Sequence, residues 1–184
     1  LEADRGVEGM LGNYDTPQGQ PAFLESVASL LTEELGEPIG PENVAVTNGS
    51  QTAFFLLLNM LSGPERILFP LLPEYIGYAD QGVDPDAFIA CPPSVEEIDE
   101  HTHKYRVDFA AVEERLRRSA SGDEERIGAV CVSRPTNPSG NVLTDSELRR
   151  LDELARRYEV PLIIDNAYGL PFPHIVFEER LEGS

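Results

Sequence analysis

The stretch from residue 127 to residue 142 reads IGAVCVSRPTNPSGNV: a short apolar run followed by a loop with two prolines. An apolar run of this length, bounded by turn residues, predicts a strand buried inside a sheet. Pro135 and Pro138 flank Thr136 and Asn137 and restrict the backbone of the loop. The stretch therefore predicts a buried strand that carries a stiff polar loop at its carboxyl end.

Similar apolar runs recur along the chain and alternate with helical patterns. We expect further strands at VAVT (44–47), RILF (66–69), AFIA (87–90) and PLIID (161–165). Helices are expected over 21–35 and 50–61, and after Asp108 and Thr144, where Asp108 is an N-cap and Thr144 and Glu147 have the spacing of a capping box. Residues 94–106 are polar and predict a surface loop or a hairpin. The alternation predicts an α/β fold, a three-layer sandwich around a mostly parallel sheet.

Composition narrows the class of protein. The 184 residues are enough for one domain with a substantial core, and the longest apolar run, 53–61, is too short to span a membrane. The formal net charge of −19 disfavours nucleic acids and anionic membranes as partners.

The N-terminus has no secretory signal pattern, so we expect a cytoplasmic protein. Two cysteines are too few for a disulfide framework, and Cys131 is expected to be a buried thiol.

A first candidate site lies in VAVTNGSQTAFF (44–55), which combines a strand pattern, a glycine turn and the start of a helix. Backbone N–H groups at a helix N-terminus suit a phosphate, and Gly49 allows a close approach. Ser50 and Gln51 could add donors. The alternative is that the serine or asparagine at the start of this helix is only an N-cap.

Aromatic residues follow the strand pattern at 66–69. Tyr75 and Tyr78 lie in LFPLLPEYIGYADQG (68–82), on a loop beyond the strand end. A flat heteroaromatic ligand could stack on Tyr75. The alternative is that both tyrosines are half-buried packing residues.

Asp165 ends the apolar run PLIID, where an unpaired carboxylate would be costly. A protonated pyridine nitrogen would satisfy it, and this contact keeps such a ring able to draw electrons. Asn137 could present its amide to the same ligand, and Tyr168 could donate to a ring oxygen. Alternatively, Asp165 is a cap or turn residue and NPSG an ordinary turn.

Taken in order, these segments resemble the fold-type I, class I and II aminotransferases. The resemblance rests on the blocks NYDTPQGQ (13–20), TNGSQTAFF (47–55), LPEYIGYADQG (72–82), YRVDF (105–109), VSRPTNPSGNVLTDSEL (132–148) and IIDNAYGLPFPHIVF (163–177). It implies the large, cofactor-binding domain of that family and pyridoxal 5'-phosphate as the cofactor. The implied phosphate ligands are Ser50 and Gln51.

The remaining roles are also implied by the resemblance. Tyr75 would stack on the cofactor ring, Asn137 and Tyr168 would bind its phenolic oxygen, and Asp165 would pair with the pyridine nitrogen. Tyr14 would reach the cofactor phosphate of the opposite subunit, which implies a homodimer. The implied reaction belongs to amino-acid biosynthesis and moves an amino group between an amino acid and a 2-oxo acid, with valine and pyruvate as the pair.

Lysine is the main departure from the family pattern. The family's Schiff-base lysine lies downstream of these blocks, whereas Lys104 is the sole lysine of the chain and lies upstream of Asn137. Because the chain also opens at Leu1 and closes on LEGS, we expect residues 1–184 to be part of the large domain. The N-terminal segment and the small C-terminal domain would be absent, and this part alone inactive.

The residues around Lys104 have simpler interpretations. Lys104 is expected to be a solvated surface residue, and His101 and His103 are expected to be surface residues rather than metal ligands. Two other functions remain open: a lyase or decarboxylase with the same cofactor and fold, and an aminotransferase-like ligand-sensing domain of a regulator.

Overall fold

Four parallel strands form the main sheet in the part of the chain that the structure describes. The computed structural model describes residues 14–62, 65–80, 86–123 and 125–168. The strands are β1 (Arg66–Phe69), β2 (Phe88–Ala90), β3 (Ser94–Asp99), β4 (Thr102–Arg106), β5 (Ile127–Ser133) and β6 (Leu162–Asp165). The helices are α1 (Pro21–Leu35), α2 (Ser50–Ser62), α3 (Phe109–Ser121) and α4 (Asp145–Arg157), with short 3-10 helices at Pro41–Asn43 and Ile76–Tyr78.

The parallel sheet has the strand order β2-β1-β5-β6. Leu68 of β1 lies opposite Val130 of β5, and Ser133 at the end of β5 lies opposite Asp165 at the end of β6. The chain leaves β1 toward β2 and leaves β5 toward β6, so the two central strands mark the point where the strand order reverses. In open α/β sheets, ligands bind beyond the carboxyl ends of the strands at such a point.

Helices cover both faces of this sheet. Phe54 and Leu58 of α2 pack with Ile67, Phe69, Ala129 and Cys131 on one face. Leu116 of α3 and Leu151 of α4 pack with Leu68, Val130 and Val132 on the other. The alternation of these strand residues follows from the two-residue period of a strand. The predicted three-layer α/β arrangement is confirmed.

The helix boundaries follow local sequence signals. The Asp108 side chain accepts from the Ala111 N–H at 3.0 Å, and Gly122 ends α3 with φ 80°. Thr144 and Glu147 form the expected capping box at the start of α4. The helix expected at 21–35 has those bounds, because Pro21 occupies the first turn and Gly36, with φ 70°, ends it.

For two segments, residues 94–106 and 44–47, one prediction is confirmed and the other is wrong. Residues 94–106 form an antiparallel hairpin of β3 and β4, one of the two forms expected. The strand predicted at 44–47 is wrong: the backbone at Val44 is extended, but the segment joins neither of the described sheets. The Val46 N–H bonds the Gln18 carbonyl in the Thr16–Gly19 turn region instead.

The described residues divide into two compact units, one ending at Thr52 and the other starting at Ala53. The first contains α1, whose Leu24 and Ala28 pack with Val44. The second contains both sheets. No helix within the described ranges is long and apolar enough to cross a membrane.

Truncating a core leucine of the second unit should destabilise the protein strongly. Leu116 is 1% exposed between α3 and the sheet. Leu116→Ala should lower the free energy of unfolding by roughly 2–5 kcal/mol, because it leaves a cavity that the core cannot fill. Leu56→Ala on α2, where the side chain is 46% exposed, is the matched control and should cost much less. Urea unfolding measures both, and equal costs would contradict the described packing.

Candidate active site

Polar residues gather where the central strands of the parallel sheet end. Because Ser133 and Asp165 are register partners, the loop after β5 and the turn after β6 start side by side. The Arg134 N–H donates to the Asp165 carbonyl at 2.9 Å and extends the pairing by one bond. The loop that follows β1 reaches the same edge through Glu74 and Tyr78.

Asp165 is half-buried at this edge, and both carboxylate oxygens accept hydrogen bonds. Its Oδ2 accepts from the Tyr78 hydroxyl at 2.6 Å, and its Oδ1 accepts from the Ala167 N–H at 3.1 Å. No described arginine or lysine forms an ion pair with it. Each oxygen has a second lone pair, so the carboxylate can still accept from a cationic ligand.

Tyr78 supports Asp165 from inside the core. It is 2% exposed, and its ring stacks on Phe69 at 5.6 Å and tilts against Phe54 at 4.9 Å. Burial, followed by the bond to Asp165, raises the pKa of Tyr78 above its usual range. The hydroxyl therefore stays protonated and donates to the carboxylate, so Tyr78 is both a packing residue and a support of the site.

Tyr75 is half-buried next to Tyr78, with the ring centroids 5.5 Å apart and the planes perpendicular. Gly77 lies against the Tyr75 ring: a Cβ on this glycine would be 2.4 Å from Tyr75 Cε1. The absence of a side chain at Gly77 therefore lets the ring occupy this position, and the part of Tyr75 that remains exposed can meet a flat ligand.

Asn137 and Tyr168 come from neighbouring loops and face each other. The Asn137 Nδ2 lies 3.5 Å from the Tyr168 hydroxyl, at the limit of a hydrogen bond. Thr136, which is buried, anchors the loop: its N–H bonds the Asn141 carbonyl at 2.8 Å and its hydroxyl bonds the Ser133 carbonyl at 3.1 Å. The sequence predicted that Asn137 and Asp165 each follow a buried strand, and the structure adds that β5 and β6 are adjacent.

These groups fit a protonated pyridine ring with an oxygen substituent. A half-buried carboxylate without a described cationic partner favours a positively charged group. The Asn137 amide N–H and the Tyr168 hydroxyl, from the loops that follow β5 and β6, can donate to a ring oxygen. The partly exposed Tyr75 ring offers a surface for stacking.

Glu74 belongs to this edge as well, and the sequence interpretation missed it. Its carboxylate accepts from the Ser133 N–H at 3.1 Å and from the Ser133 hydroxyl. Burial, with a smaller contribution from Asp165, raises the pKa of Glu74 to about 7. The only signal in the sequence was an acidic residue directly before Tyr75, which does not distinguish a buried carboxyl from an exposed one.

Ser50, Gln51 and Tyr14 belong to the first compact unit. Ser50 and Gln51 are exposed and begin α2, after Gly49 with φ 85°. Tyr14 is fully exposed. The predicted contacts of these three residues with a cofactor phosphate stay predictions.

Lys104 corrects one expectation, because it is buried rather than solvated. It is 7% exposed, its Nζ donates to the Val142 carbonyl, and it lies 3.5 Å from Glu147 Oε2. Arg106 Nη1 lies 3.7 Å from the other Glu147 oxygen. The surface expectation failed because the hairpin packs Lys104 against the start of α4, where a buried carboxylate compensates its charge.

The cysteines and histidines do not add to the site. Cys131 is a buried free thiol, as expected, and burial raises its pKa. Within the described residues, no group of three histidine, cysteine or acidic side chains is arranged to hold a metal ion.

The stability of the protein without ligand should depend on the protonation of Glu74. Because the folded state raises this pKa above the value of 4.5 that an exposed glutamate has, the folded state binds the proton more tightly. The contribution is fully present below pH 4.5 and is lost as the pH rises to about 7. From pH 4.5 to about pH 7, the free energy of unfolding of the wild type should fall by roughly 3 kcal/mol relative to that of the Glu74→Gln variant.

Urea unfolding of the wild type and Glu74→Gln at a series of pH values measures this difference, since other titrating groups are shared. A difference that stays constant from pH 4.5 to pH 8 would show that Glu74 is exposed in solution.

Comparison with known proteins gives a consistent family. The sequence profile described as "Aminotransferase class I and II" matches residues 2–174. The valine–pyruvate aminotransferase of Escherichia coli K12 is 48% identical over 97% of this chain and 42% of its own length. The crystal structure of valine-pyruvate aminotransferase from Salmonella typhimurium LT2 is 52% identical, with a TM-score of 0.73 over 91% of this chain and 40% of that one.

A more distant structure shares the fold alone. The PLP-bound C-S lyase from Staphylococcus hominis is 20% identical, with a TM-score of 0.63 over 83% of this chain and 37% of that one. This chain spans about two fifths of the length of the relatives above. With the profile matching nearly all of it, the chain belongs to the class I and II aminotransferase family.

Proposed function

We propose that this chain is part of the large domain of a pyridoxal-phosphate-dependent aminotransferase that moves an amino group between an amino acid and a 2-oxo acid. The observation that carries the proposal is the half-buried Asp165 carboxylate at the end of β6, which has no cationic partner among the described residues. Asn137 and Tyr168, which follow the ends of β5 and β6, lie within hydrogen-bond reach of each other. Family membership adds to it, because a class I and II aminotransferase uses this cofactor.

Each residue of the edge has a role toward the cofactor. Asp165 accepts from the protonated ring nitrogen and keeps it protonated, while Tyr78 holds the carboxylate in place through its 2.6 Å hydrogen bond. Asn137 and Tyr168 donate to the phenolic oxygen, and Tyr75 stacks on the ring. When bound, pyridoxal phosphate supplies an electron sink for the carbanion formed at the amino acid.

The phosphate group has a separate set of proposed ligands. Ser50 and Gln51 bind it at the start of α2, where backbone N–H groups and the helix dipole favour an anion. Tyr14, which is fully exposed in this chain, is available to reach the phosphate of a second subunit. The proposal therefore includes a homodimer with shared sites.

Valine and pyruvate are the proposed substrate pair. Support comes from the E. coli and S. typhimurium proteins, which are 48% and 52% identical and are both named for this activity. A cytoplasmic location and a role in amino-acid biosynthesis belong to the same proposal.

The lysine that would form a Schiff base with the cofactor is not among the 184 residues of this sequence. Lys104 is the sole lysine, and its Nζ is committed to Val142 and Glu147 in a buried cluster. We propose that this chain alone holds the cofactor without a covalent bond and does not transfer the amino group.

The function is tested on the full-length protein, supplied with pyridoxal phosphate, valine and pyruvate. Alanine should form as valine is consumed. Asp165→Asn should lower the affinity for pyridoxal phosphate by about 10- to 100-fold, since a charge-assisted hydrogen bond of about 1.5–3 kcal/mol is lost, and should lower alanine formation as well. Cofactor fluorescence and alanine analysis are the measurements.

The matched control is Asp152→Asn, because Asp152 pairs with Arg156 on the surface of α4, and it should change neither quantity. Valine loss without alanine, or cleavage of a β-substituted amino acid instead, would favour a lyase of the same fold.

Lys104 should not react with the cofactor aldehyde. Purified 184-residue chain mixed with pyridoxal phosphate and reduced with borohydride should show no added mass on the peptide that contains Lys104, because its amine is buried and ion-paired. Glu147→Gln removes the carboxylate partner and should increase labelling. Mass spectrometry reads both results, and efficient labelling of wild-type Lys104 together with amine transfer would overturn the proposed inactivity.

A further inference from the structure

Glu74 is a second carboxyl group at the edge that carries Asp165, and the proposed function gives it no role. Strand β5 continues past the end of β1: Leu68 pairs with Val130, β1 ends at Phe69, and Ser133 lies beyond the last β1 residue. The Ser133 N–H consequently has no partner on β1 and is satisfied by the Glu74 carboxylate at 3.1 Å. The Glu74 carboxylate therefore accepts the hydrogen bond that a carbonyl of β1 would accept if β1 were longer. It does so between β1 and β5, where the strand order reverses.

Among the described residues, no arginine or lysine contributes to the pKa of Glu74. The titratable groups that face it are Asp165 on β6, Tyr78 on the 3-10 helix and Cys131 on β5. Asp165 repels its ionised form, and burial disfavours that form further. The Ser133 bonds oppose both effects, so the carboxyl group is balanced between its two protonation states near neutral pH.

The carboxyl groups of Asp165 and Glu74 differ in how they can interact with a cationic ligand. Asp165 can accept from a protonated ring nitrogen directly, whereas Glu74 is joined to the site through Ser133 and is followed in the chain by Tyr75. A positive charge near two such carboxyl groups favours the ionised form of both. The group that is still protonated must then release its proton.

We propose that Glu74 is a positioning residue of the cofactor site that keeps its proton beside the empty site and releases it to solvent when a cationic ring pairs with Asp165. The inference rests on the proposed function, because it needs a protonated ring at Asp165. The ionised Glu74 then adds a second negative charge, which helps hold the ring nitrogen protonated. In the empty site, the retained proton reduces the repulsion between the two carboxyl groups.

The test uses the full-length protein freed of cofactor, with pyridoxine 5'-phosphate as the probe. This compound has the pyridine ring and the phosphate but no aldehyde, so no covalent bond forms. Calorimetric titrations in buffers of different ionisation enthalpy count the protons released on binding. At pH 7 the wild type should release about half a proton more per ligand than Glu74→Gln, because about half of Glu74 is protonated there.

The affinity itself gives a second readout. The ratio of the wild-type affinity to that of Glu74→Gln should rise by about fivefold between pH 6 and pH 8, which corresponds to a shift of about one pK unit on binding. Glu153→Gln on the exposed face of α4 is the matched control and should follow the wild type at every pH.

A third variant keeps the test decisive if Glu74→Gln does not fold. Ser133→Ala removes the hydroxyl donor that favours the ionised carboxylate, so the extra proton release should move to higher pH. If Glu74→Gln weakens binding by the same factor at every pH and releases as many protons as the wild type, Glu74 has only a structural role and the proposal is wrong. If the wild type fails to bind pyridoxine 5'-phosphate at any pH, the proposed function fails and this inference with it.

Discussion

Strand β5 is buried along its whole length, and this constraint places the polar groups of the site. All seven of its residues are buried between α2 on one face and α3 and α4 on the other. Polar side chains therefore cannot be accommodated along the strand without partners and lie at its carboxyl end instead. Ser133 is the first of them, and it bonds Glu74 while its register partner Asp165 bonds Tyr78.

Charged side chains hold the loop after β5 in place from the side of the hairpin and of α4. Lys104 bonds the Val142 carbonyl and pairs with Glu147, and Arg134 pairs with Asp145 at the start of α4. The Asn141 side chain accepts from the Tyr105 N–H, which ties the loop to the hairpin. Asn137 is thus presented by a loop anchored on both sides, and this lowers the ordering cost of binding a ligand.

Tyr78 combines a buried ring with a hydroxyl that donates to Asp165. A phenylalanine at this position could pack in the same way but could not make this hydrogen bond. The Tyr78 hydroxyl donates a hydrogen bond of 2.6 Å to the Asp165 carboxylate and helps to hold that group in place. The packing of its ring against Phe69 and Phe54 holds the donor in a single position. The core on one face of the sheet and the chemistry at its edge therefore share this residue.

The sequence by itself determined the α/β class, most element boundaries and the polar residues that follow the strand ends, because these depend on local signals: apolar runs, caps such as Asp108 and Thr144, and residues that end strands. It also predicted that Asn137 and Asp165 each follow a buried strand, whereas their common role toward a cofactor was implied by the family resemblance. Only the tertiary structure decided that Lys104 is buried, that residues 44–47 are not a strand, and that Glu74 and Tyr78 support Asp165. The reason is that burial and pairing of a charged side chain depend on contacts between residues such as 74 and 133, or 104 and 147, that lie far apart in the chain.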